Sequence, residues 1–80
     1  MKIKFASKAK KQLKRLPKSE AKKVIKKIHL LNNYPFAGKR LKGKLQEEYS
    51  LKAWPHRIVY LIRKSTVFIE TIEHRQGVYK

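Results

Sequence analysis

The apolar residues change their spacing close to residue 34, and this change limits the folds that are open to the chain. Before that point they recur every three or four residues, as on one face of a helix. After it they alternate or run continuously over short stretches, which is typical of β-strands. Residues 2–6, KIKFA, also alternate. The sequence therefore predicts one strand, two helices and then a group of strands.

Two amphipathic helices are predicted before residue 34. Ser7 is the expected N-cap of the first, Pro17 ends it, and its apolar stripe consists of Ala9, Leu13 and Leu16. Ser19 is the expected N-cap of the second, with Glu20 favourably placed near the positive end of the helix dipole. Its stripe consists of Ala21, Val24, Ile25, Ile28 and Leu31. With so short a connection, the helices form an antiparallel hairpin that covers an apolar surface.

A loop and three strands are predicted after the helices. Residues 34–43 hold two of the three glycines and are interpreted as a loop. The strand-like runs, separated by Pro55 and by a turn at Lys64 and Ser65, are residues 45–54, 57–64 and 66–75. The nearly continuous RIVYLI run predicts the central strand. The expected fold class is α+β in the order β-α-α-β-β-β, with the helical hairpin packed on a mainly antiparallel four-stranded sheet.

Length and composition restrict the class of protein. A chain of 80 residues has room for one domain, so residues 1–80 are expected to form a single domain. The absence of cysteine excludes disulfides, thiolate metal sites and cysteine nucleophiles. The amino terminus has no signal-peptide apolar region, and no stretch approaches the roughly 20 apolar residues of a membrane span. A cytoplasmic protein with no membrane partner is expected.

The charge of the chain indicates a polyanionic partner. The 22 Lys and Arg residues against 5 Asp and Glu give a net charge of +17, which opposes compaction unless counter-charge is nearby. RNA or the ribosome is the expected partner, since phosphate backbones supply such charge. The candidate RNA-binding residues lie in or beside the predicted loop: Lys39, Arg40, Lys42 and Lys44. A merely solvated basic surface is the alternative.

The side chains that remain suit metal-free RNA cleavage. No metal or cofactor site is expected, because His29, His56 and His74 are widely spaced and no glycine-rich phosphate loop is present. In such cleavage the 2′-hydroxyl attacks the adjacent phosphorus. A base removes its proton, cations stabilise the phosphate oxygens and an acid protonates the leaving oxygen. Arginine suits the second role because its planar fork pairs with two phosphate oxygens.

Two places in the chain hold residues of this kind. Arg57 begins the most apolar strand, and alternation puts three residues on the open face of the sheet beside it: Glu48, Ser50 and Lys52, if Tyr49, Leu51 and Ala53 face the core. Residues 73–80, EHRQGVYK, offer a histidine that titrates near neutrality and a tyrosine that can stack on unpaired bases. The alternatives are a snorkelling arginine and a solvated terminus. Trp54 and Tyr60 are interpreted as core or edge residues rather than base platforms.

Four motifs and the first helix resemble a known family in order and spacing. They are LKG at residues 41–43, YSLK at 49–52, HRIVY at 56–60, IEHRQGVY at 72–79 and FASKAKKQLKRLPK at 5–18. Together they resemble the RelE/ParE toxin superfamily over the whole chain. The resemblance implies a compact toxin that a cognate antitoxin neutralises by wrapping its surface. RelE-like members cut mRNA in the ribosomal A site.

The resemblance also implies roles for particular residues. Arg57 contacts the scissile phosphate, and the other implied site residues are Lys52 as a strand lysine, Arg75 as a second phosphate-binding arginine, His74 near the cleavage site, and Tyr79 stacking on or protonating the substrate. Ser50 stands where the RelE pattern has a second lysine. The proton acceptor is therefore open among Lys52, Glu47, Glu48 and His74. The alternative functions are a non-catalytic ParE-like toxin that inhibits DNA gyrase and a basic RNA- or ribosome-binding protein.

Overall fold

Two helices and five strands make up the part of the chain that the computed structural model describes, residues 2–41 and 48–74. In chain order they are β1 Lys2–Phe5, α1 Ser7–Arg15, α2 Lys18–Asn33, β2 Lys39–Arg40, β3 Glu48–Ala53, β4 His56–Arg63 and β5 Thr66–His74. The expected α+β class is confirmed. Among the described residues, neither helix is both long and apolar enough to cross a membrane.

The strands form one mixed sheet in the order β1-β5-β4-β3-β2. β1 pairs parallel with β5, and the remaining pairs are antiparallel. β4 lies in the middle, so the prediction that the RIVYLI run forms the central strand is confirmed. β4 has a neighbouring strand on each side and the helices over one face, whereas Val59 and Leu61 on its other face are half-buried.

The sheet has five described strands where four were predicted, because β2 lies in the segment expected to be a loop. Lys39 pairs with Ser50 and Arg40 with Tyr49. The next backbone bond runs from the amide of Leu41 to the carbonyl of Glu48 over 2.9 Å. Two residues are too few to show an alternating pattern, so the pairing with β3, rather than local sequence, makes this strand.

Helix α1 begins one residue before the expected point and α2 two residues before it, so the predicted serine caps are wrong. Ala6 is the N-cap of α1 and Pro17 that of α2, and neither helix has a side-chain capping bond. The amide of Ala6 donates to the carbonyl of Ile69 over 2.9 Å, which fixes the end of β1 on the sheet. The tertiary position of the chain therefore decides where α1 begins, and Ser7 and Ser19 lie inside the first turns.

The core lies between the helices and one face of the sheet. The helices contribute Ala9, Val24, Ile28 and Leu31, and the strands contribute Tyr49, Ala53, Ile58, Tyr60, Val67, Ile69 and Ile72. In β4, buried His56, Ile58 and Tyr60 alternate with half-buried Arg57, Val59 and Leu61. The second set faces away from the helices. We call that side of the sheet the open face.

A β-bulge in β5 changes which residues reach the open face. Tyr60 opposes Ile69, whereas Val59 opposes Thr71, so that Glu70 is an additional residue between them. The core residues on either side of it, Ile69 and Ile72, are three positions apart rather than two. The bulge therefore turns both Glu70 and Thr71 to the open face.

Candidate functional site

Three charged residues form a row across the open face. Lys52 of β3 is in register with Arg57 of β4, and Arg57 is in register with Glu73 of β5. Directly opposed residues on neighbouring strands have Cβ atoms about 4.5 to 5.5 Å apart. The structure therefore brings Arg57 next to Lys52, as alternation along β3 led us to expect, and adds a carboxylate on the other side.

The neighbours of Lys52 on β3 follow the expected alternation with one variation. Tyr49 and Ala53 are buried in the core, whereas Leu51 is only half-buried. Ser50 is buried although it lies on the other side of the strand, because it pairs with Lys39 of the edge strand as well as with Val59. Ser50, which stands where the RelE pattern has a second lysine, is thus covered.

A small cleft on the open face surrounds Arg57 with carboxylates. Its volume is about 260 Å³, and its lining is Leu41, Glu48, Arg57, Val59, Glu70, Thr71 and Glu73. Three of the chain's five acidic residues are thus gathered here. The Thr71 hydroxyl is buried in the same region and has no hydrogen-bond partner among the described residues. We call this the acidic cleft.

Sequence reasoning missed Glu70 and Glu73. Strict alternation from Val67 and Ile69 puts Thr71 and Glu73 on the core side, and only the bulge reverses them. The signal that reveals the bulge is the three-residue interval between Ile69 and Ile72.

A larger cleft beside Arg57 is lined by basic and uncharged residues. Its volume is about 810 Å³, and its lining is Lys27, Ala37, Lys39, Arg40, Leu41, Ser50, Leu51, Lys52 and Arg57. It wraps the edge of β3 beyond the end of β2, since Leu51 and Lys52 point to opposite sides of that strand. None of its described lining residues is acidic. We call it the basic cleft. Arg57 lies on the boundary between it and the acidic cleft.

Tyr60 holds the segment that carries Lys39 and Arg40. Its hydroxyl donates to the carbonyl of Pro35 over 2.8 Å and accepts from the amide of Gly38 over 2.9 Å. A Cβ atom on Gly38 would lie 2.7 Å from that hydroxyl, so the turn can approach the ring only with glycine there. Burial raises the pKa of Tyr60 above its ordinary value of 10.0. This core tyrosine therefore fixes the position of β2.

Two aromatic contacts extend this support. The rings of Tyr60 and Tyr49 stack at 5.4 Å between centroids, and the edge of Phe36 meets Tyr49 at 5.7 Å. Together with the hydroxyl of Tyr60 they hold the connection from α2 to β2 against the sheet. The cations of β2 are exposed on an anchored segment.

His74 lies away from Lys52 and Arg57. It is in register with His56, on the side of the sheet that faces the helices, and the two rings meet edge to face at 5.2 Å. His56 is only 7% exposed, and its Nε2 atom lies 2.5 Å from the carboxylate of Glu20 in the first turn of α2. The structure thus does not bring His74 into the charged row. It instead places His74 against a histidine–carboxylate pair.

The other predicted site residues lie outside the described residues. They are Arg75 and Tyr79 in the tail, Lys42 and Lys44 of the basic segment, and Glu47 among the possible proton acceptors. Within the described ranges, no three His, Cys, Asp or Glu side chains are grouped closely enough to hold a metal ion.

Known proteins resemble the chain in sequence and in fold. Residues 3–79 match the family described as the ParE toxin of the type II toxin-antitoxin system parDE. No curated protein matches the sequence. A chain in the toxin-antitoxin complex RelBE2 of Mycobacterium tuberculosis is 27% identical, with a TM-score of 0.82 over 92% of this chain and 96% of that one.

Two further solved structures have a similar fold. A metal-bound toxin from Helicobacter pylori is 26% identical and gives a TM-score of 0.80, with 99% of each chain covered. A chain of the archaeal RelE-RelB complex from Pyrococcus horikoshii OT3 is 18% identical and gives a TM-score of 0.81, with 92% of this chain and 93% of that chain covered. The likeness to the archaeal protein is one of fold alone.

Proposed function

The chain belongs to the ParE toxin family, within the RelE/ParE superfamily of type II toxins, and from this premise we propose that it cleaves mRNA on the ribosome. As a cytoplasmic single-domain endoribonuclease it would stop translation. The observation that carries the proposal is the position of Arg57 and Lys52, side by side at the border of the basic cleft. Two adjacent cations can hold the two non-bridging oxygens of one phosphate.

In the proposed reaction the 2′-oxygen of one nucleotide forms a bond to the adjacent phosphorus. The bond from phosphorus to the 5′-oxygen breaks, which leaves a 2′,3′-cyclic phosphate and a free 5′-hydroxyl. Arg57 and Lys52 stabilise the charge that develops on the phosphate oxygens. This stabilisation is strongest in the transition state, so it accelerates the chemical step itself.

The proton of the 2′-hydroxyl needs an acceptor beside the phosphate. Three carboxylates border Arg57 in the acidic cleft: Glu48, Glu70 and Glu73. Of these, Glu73 directly opposes Arg57 across the β4–β5 pair. We assign to Glu73 the role of the base that accepts the proton of the 2′-hydroxyl. The leaving oxygen takes its proton from the tail, where Arg75 and Tyr79 stay the predicted phosphate ligand and proton donor. His74, which lies beside His56 on the helix side of the sheet, stays a predicted participant in the reaction.

The test uses purified ribosomes, a defined mRNA and mapping of the cut ends. Arg57→Ala should lower the cleavage rate about a hundredfold to a thousandfold, because one preorganised electrostatic contact is removed. Arg63→Ala is the matched control, since Arg63 is an exposed arginine at the other end of the same strand. Circular dichroism verifies that both variants are folded. An Arg57→Ala protein that cuts at the normal rate contradicts the assignment.

Inhibition of DNA gyrase is the second candidate. The matched family is that of ParE toxins, and the carboxylates around Arg57 reduce the positive potential that a phosphate meets there. A supercoiling assay with purified gyrase distinguishes the two functions. Inhibited supercoiling without cut mRNA would establish the gyrase function in place of the nuclease.

A cognate antitoxin is the proposed protein partner. The similar chain from M. tuberculosis was solved in a toxin-antitoxin complex. A net charge of +17 favours an acidic, amphipathic segment that neutralises and covers the surface. Coexpression with the neighbouring gene should yield a complex that survives purification, and the chain expressed alone should arrest growth. Harmless expression without a partner would contradict the toxin assignment.

A further inference from the structure

A second groove lies between α2 and the turn after β3. Its volume is about 410 Å³, and its lining is Lys23, Lys26, Lys27, Leu30, Ala53 and Trp54. Trp54, interpreted from the sequence as a core or edge residue rather than a base platform, is 63% exposed, and Leu30 beside it is 43% exposed. Exposed apolar side chains that lie together in a groove rimmed by polar residues mark a binding site. We call this the Trp54 groove.

The Trp54 groove continues from the basic cleft. Lys27 lines both of them, and Trp54 follows Lys52 by two residues. Two residues of extended chain span at most about 7 Å. Lys23, Lys26 and Lys27 lie within about 6 Å along the axis of α2, on one face, because residues three and four apart are neighbours. A continuous line of cations therefore leads from Arg57, around the edge of β3, to the indole.

The charges along this path are all of one sign. No described lining residue of either the basic cleft or the Trp54 groove is acidic. The acidic residues of the sheet line the cleft on the other side of Arg57 instead. The path thus fits a polyanion. Because Leu30, Ala53 and Trp54 line the groove at its end, the polyanion that fits best also carries flat apolar groups.

We propose that the Trp54 groove is a second subsite for single-stranded mRNA, in which an unpaired base stacks on Trp54. The lysines of α2 hold the phosphates beside that base. Single-strand binding sites combine a basic groove with aromatic stacking platforms in this way. The inference rests on the proposed function, because it places the bound strand next to the phosphate held by Arg57 and Lys52.

The protein contains one tryptophan, so its fluorescence reports on this groove directly. The probe is a 2′-O-methyl hexauridine strand, which has no free 2′-hydroxyl and cannot be cut. Titration of the probe should quench the emission of Trp54, and the affinity should fall as the salt concentration rises. The measurement reads binding only, so it is independent of whether the protein cleaves mRNA.

Variants of the groove residues measure how much each side chain contributes to RNA affinity. Trp54→Ala should weaken binding of the labelled strand roughly fivefold to a hundredfold, and Trp54→Phe should restore part of the loss. Tyr34→Ala is the matched control, because Tyr34 is an exposed aromatic residue (65%) that lines neither cleft. Lys26→Ala should reduce the slope of log affinity against log salt by about 0.7. Lys10→Ala on α1 should leave that slope nearly unchanged.

Several outcomes overturn the proposal. Equal losses in Trp54→Ala and Tyr34→Ala mean that exposed aromatic area, rather than this groove, binds the strand. If a Trp54→Ala protein binds RNA normally but no longer binds its antitoxin, the groove is a binding site for the antitoxin. If Trp54→Ala weakens binding to ribosomes without mRNA by the same factor as binding to ribosomes with mRNA, the groove binds ribosomal RNA instead.

The two proposals fail separately. A protein that cuts mRNA while Trp54→Ala binds the hexauridine strand like the wild type refutes the subsite alone. A protein that cuts no mRNA, yet binds the strand through Trp54, refutes the nuclease alone.

Discussion

Removing one oxygen atom from the core should loosen the segment that carries β2. In Tyr60→Phe the ring stays in place and only the hydroxyl is lost. That hydroxyl bonds two backbone groups of the preceding turn, the carbonyl of Pro35 at 2.8 Å and the amide of Gly38 at 2.9 Å. Both backbone groups lose their partner at once, whereas the packing of the ring on Tyr49 is retained.

The expected loss of stability is about 2 to 3 kcal/mol. Each hydrogen bond contributes roughly 1 kcal/mol net, and a partly buried group left without a partner adds to the cost. A chain of this length has a total stability of about 4 to 12 kcal/mol, so the loss is a large fraction. It corresponds to a decrease in Tm of about 10 to 20 °C.

Urea unfolding followed by far-ultraviolet circular dichroism measures this loss. The midpoint should fall while the dependence on urea stays the same, because the folded surface is unchanged. Tyr34→Phe is the control: Tyr34 is 65% exposed, and its stability should stay within about 0.5 kcal/mol of the wild type. If Tyr60→Phe is as stable as Tyr34→Phe, the two bonds do not hold the turn and the reasoning is refuted.

Three further results are expected. Because burial raises the pKa of Tyr60 above 10.0, the folded state holds this proton more tightly than the unfolded chain; its contribution is complete below pH 10 and is lost as the pH rises through the raised pKa. The difference in unfolding free energy between wild type and Tyr60→Phe should therefore decrease as the pH rises above 10. A difference that stays constant with pH contradicts the raised pKa of Tyr60. Gly38→Ala should destabilise the protein by about 1 to 3 kcal/mol in urea, since the new methyl group would lie 2.7 Å from the Tyr60 hydroxyl and 3.0 Å from the carbonyl of Ser50. Glu20→Ala should lower the Tm by several degrees, because His56 loses its partner on α2; an unchanged Tm would show that this pair does not fasten the helix to β4.

The main elements of the fold could be predicted because each depends on many residues. The stripe of Val24, Ile28 and Leu31 repeats over several turns of α2, and the apolar run of β4 extends over most of the strand. Helix starts and β2 depend on one or two residues and on what they meet in the folded protein. The cap of α1 is set by the bond from Ala6 to Ile69, which no local pattern contains.

The candidate site was predictable only where the sheet is regular. Alternation along β3 and β4 brings Lys52 beside Arg57, because each strand keeps its period of two. On β5 the bulge at Glu70 adds one residue, so every side chain after it changes face. Glu73 thereby reaches Arg57, and His74 turns towards the helices. Within β5 itself the only sign of the bulge is the three-residue interval between Ile69 and Ile72, and the pairing with β4 is what shows that Glu70 is the additional residue.

The parallel pairing of β1 with β5 bears on the order in which a cell can build this protein. Lys2 is paired with Thr66 and Phe5 with Ile69, so β1 has no sheet partner until translation has passed β5. Contacts so distant along the chain form late and slow the closing of the fold. The nascent chain can therefore complete its sheet only after residues 66–69, which pair with β1, have emerged from the ribosome.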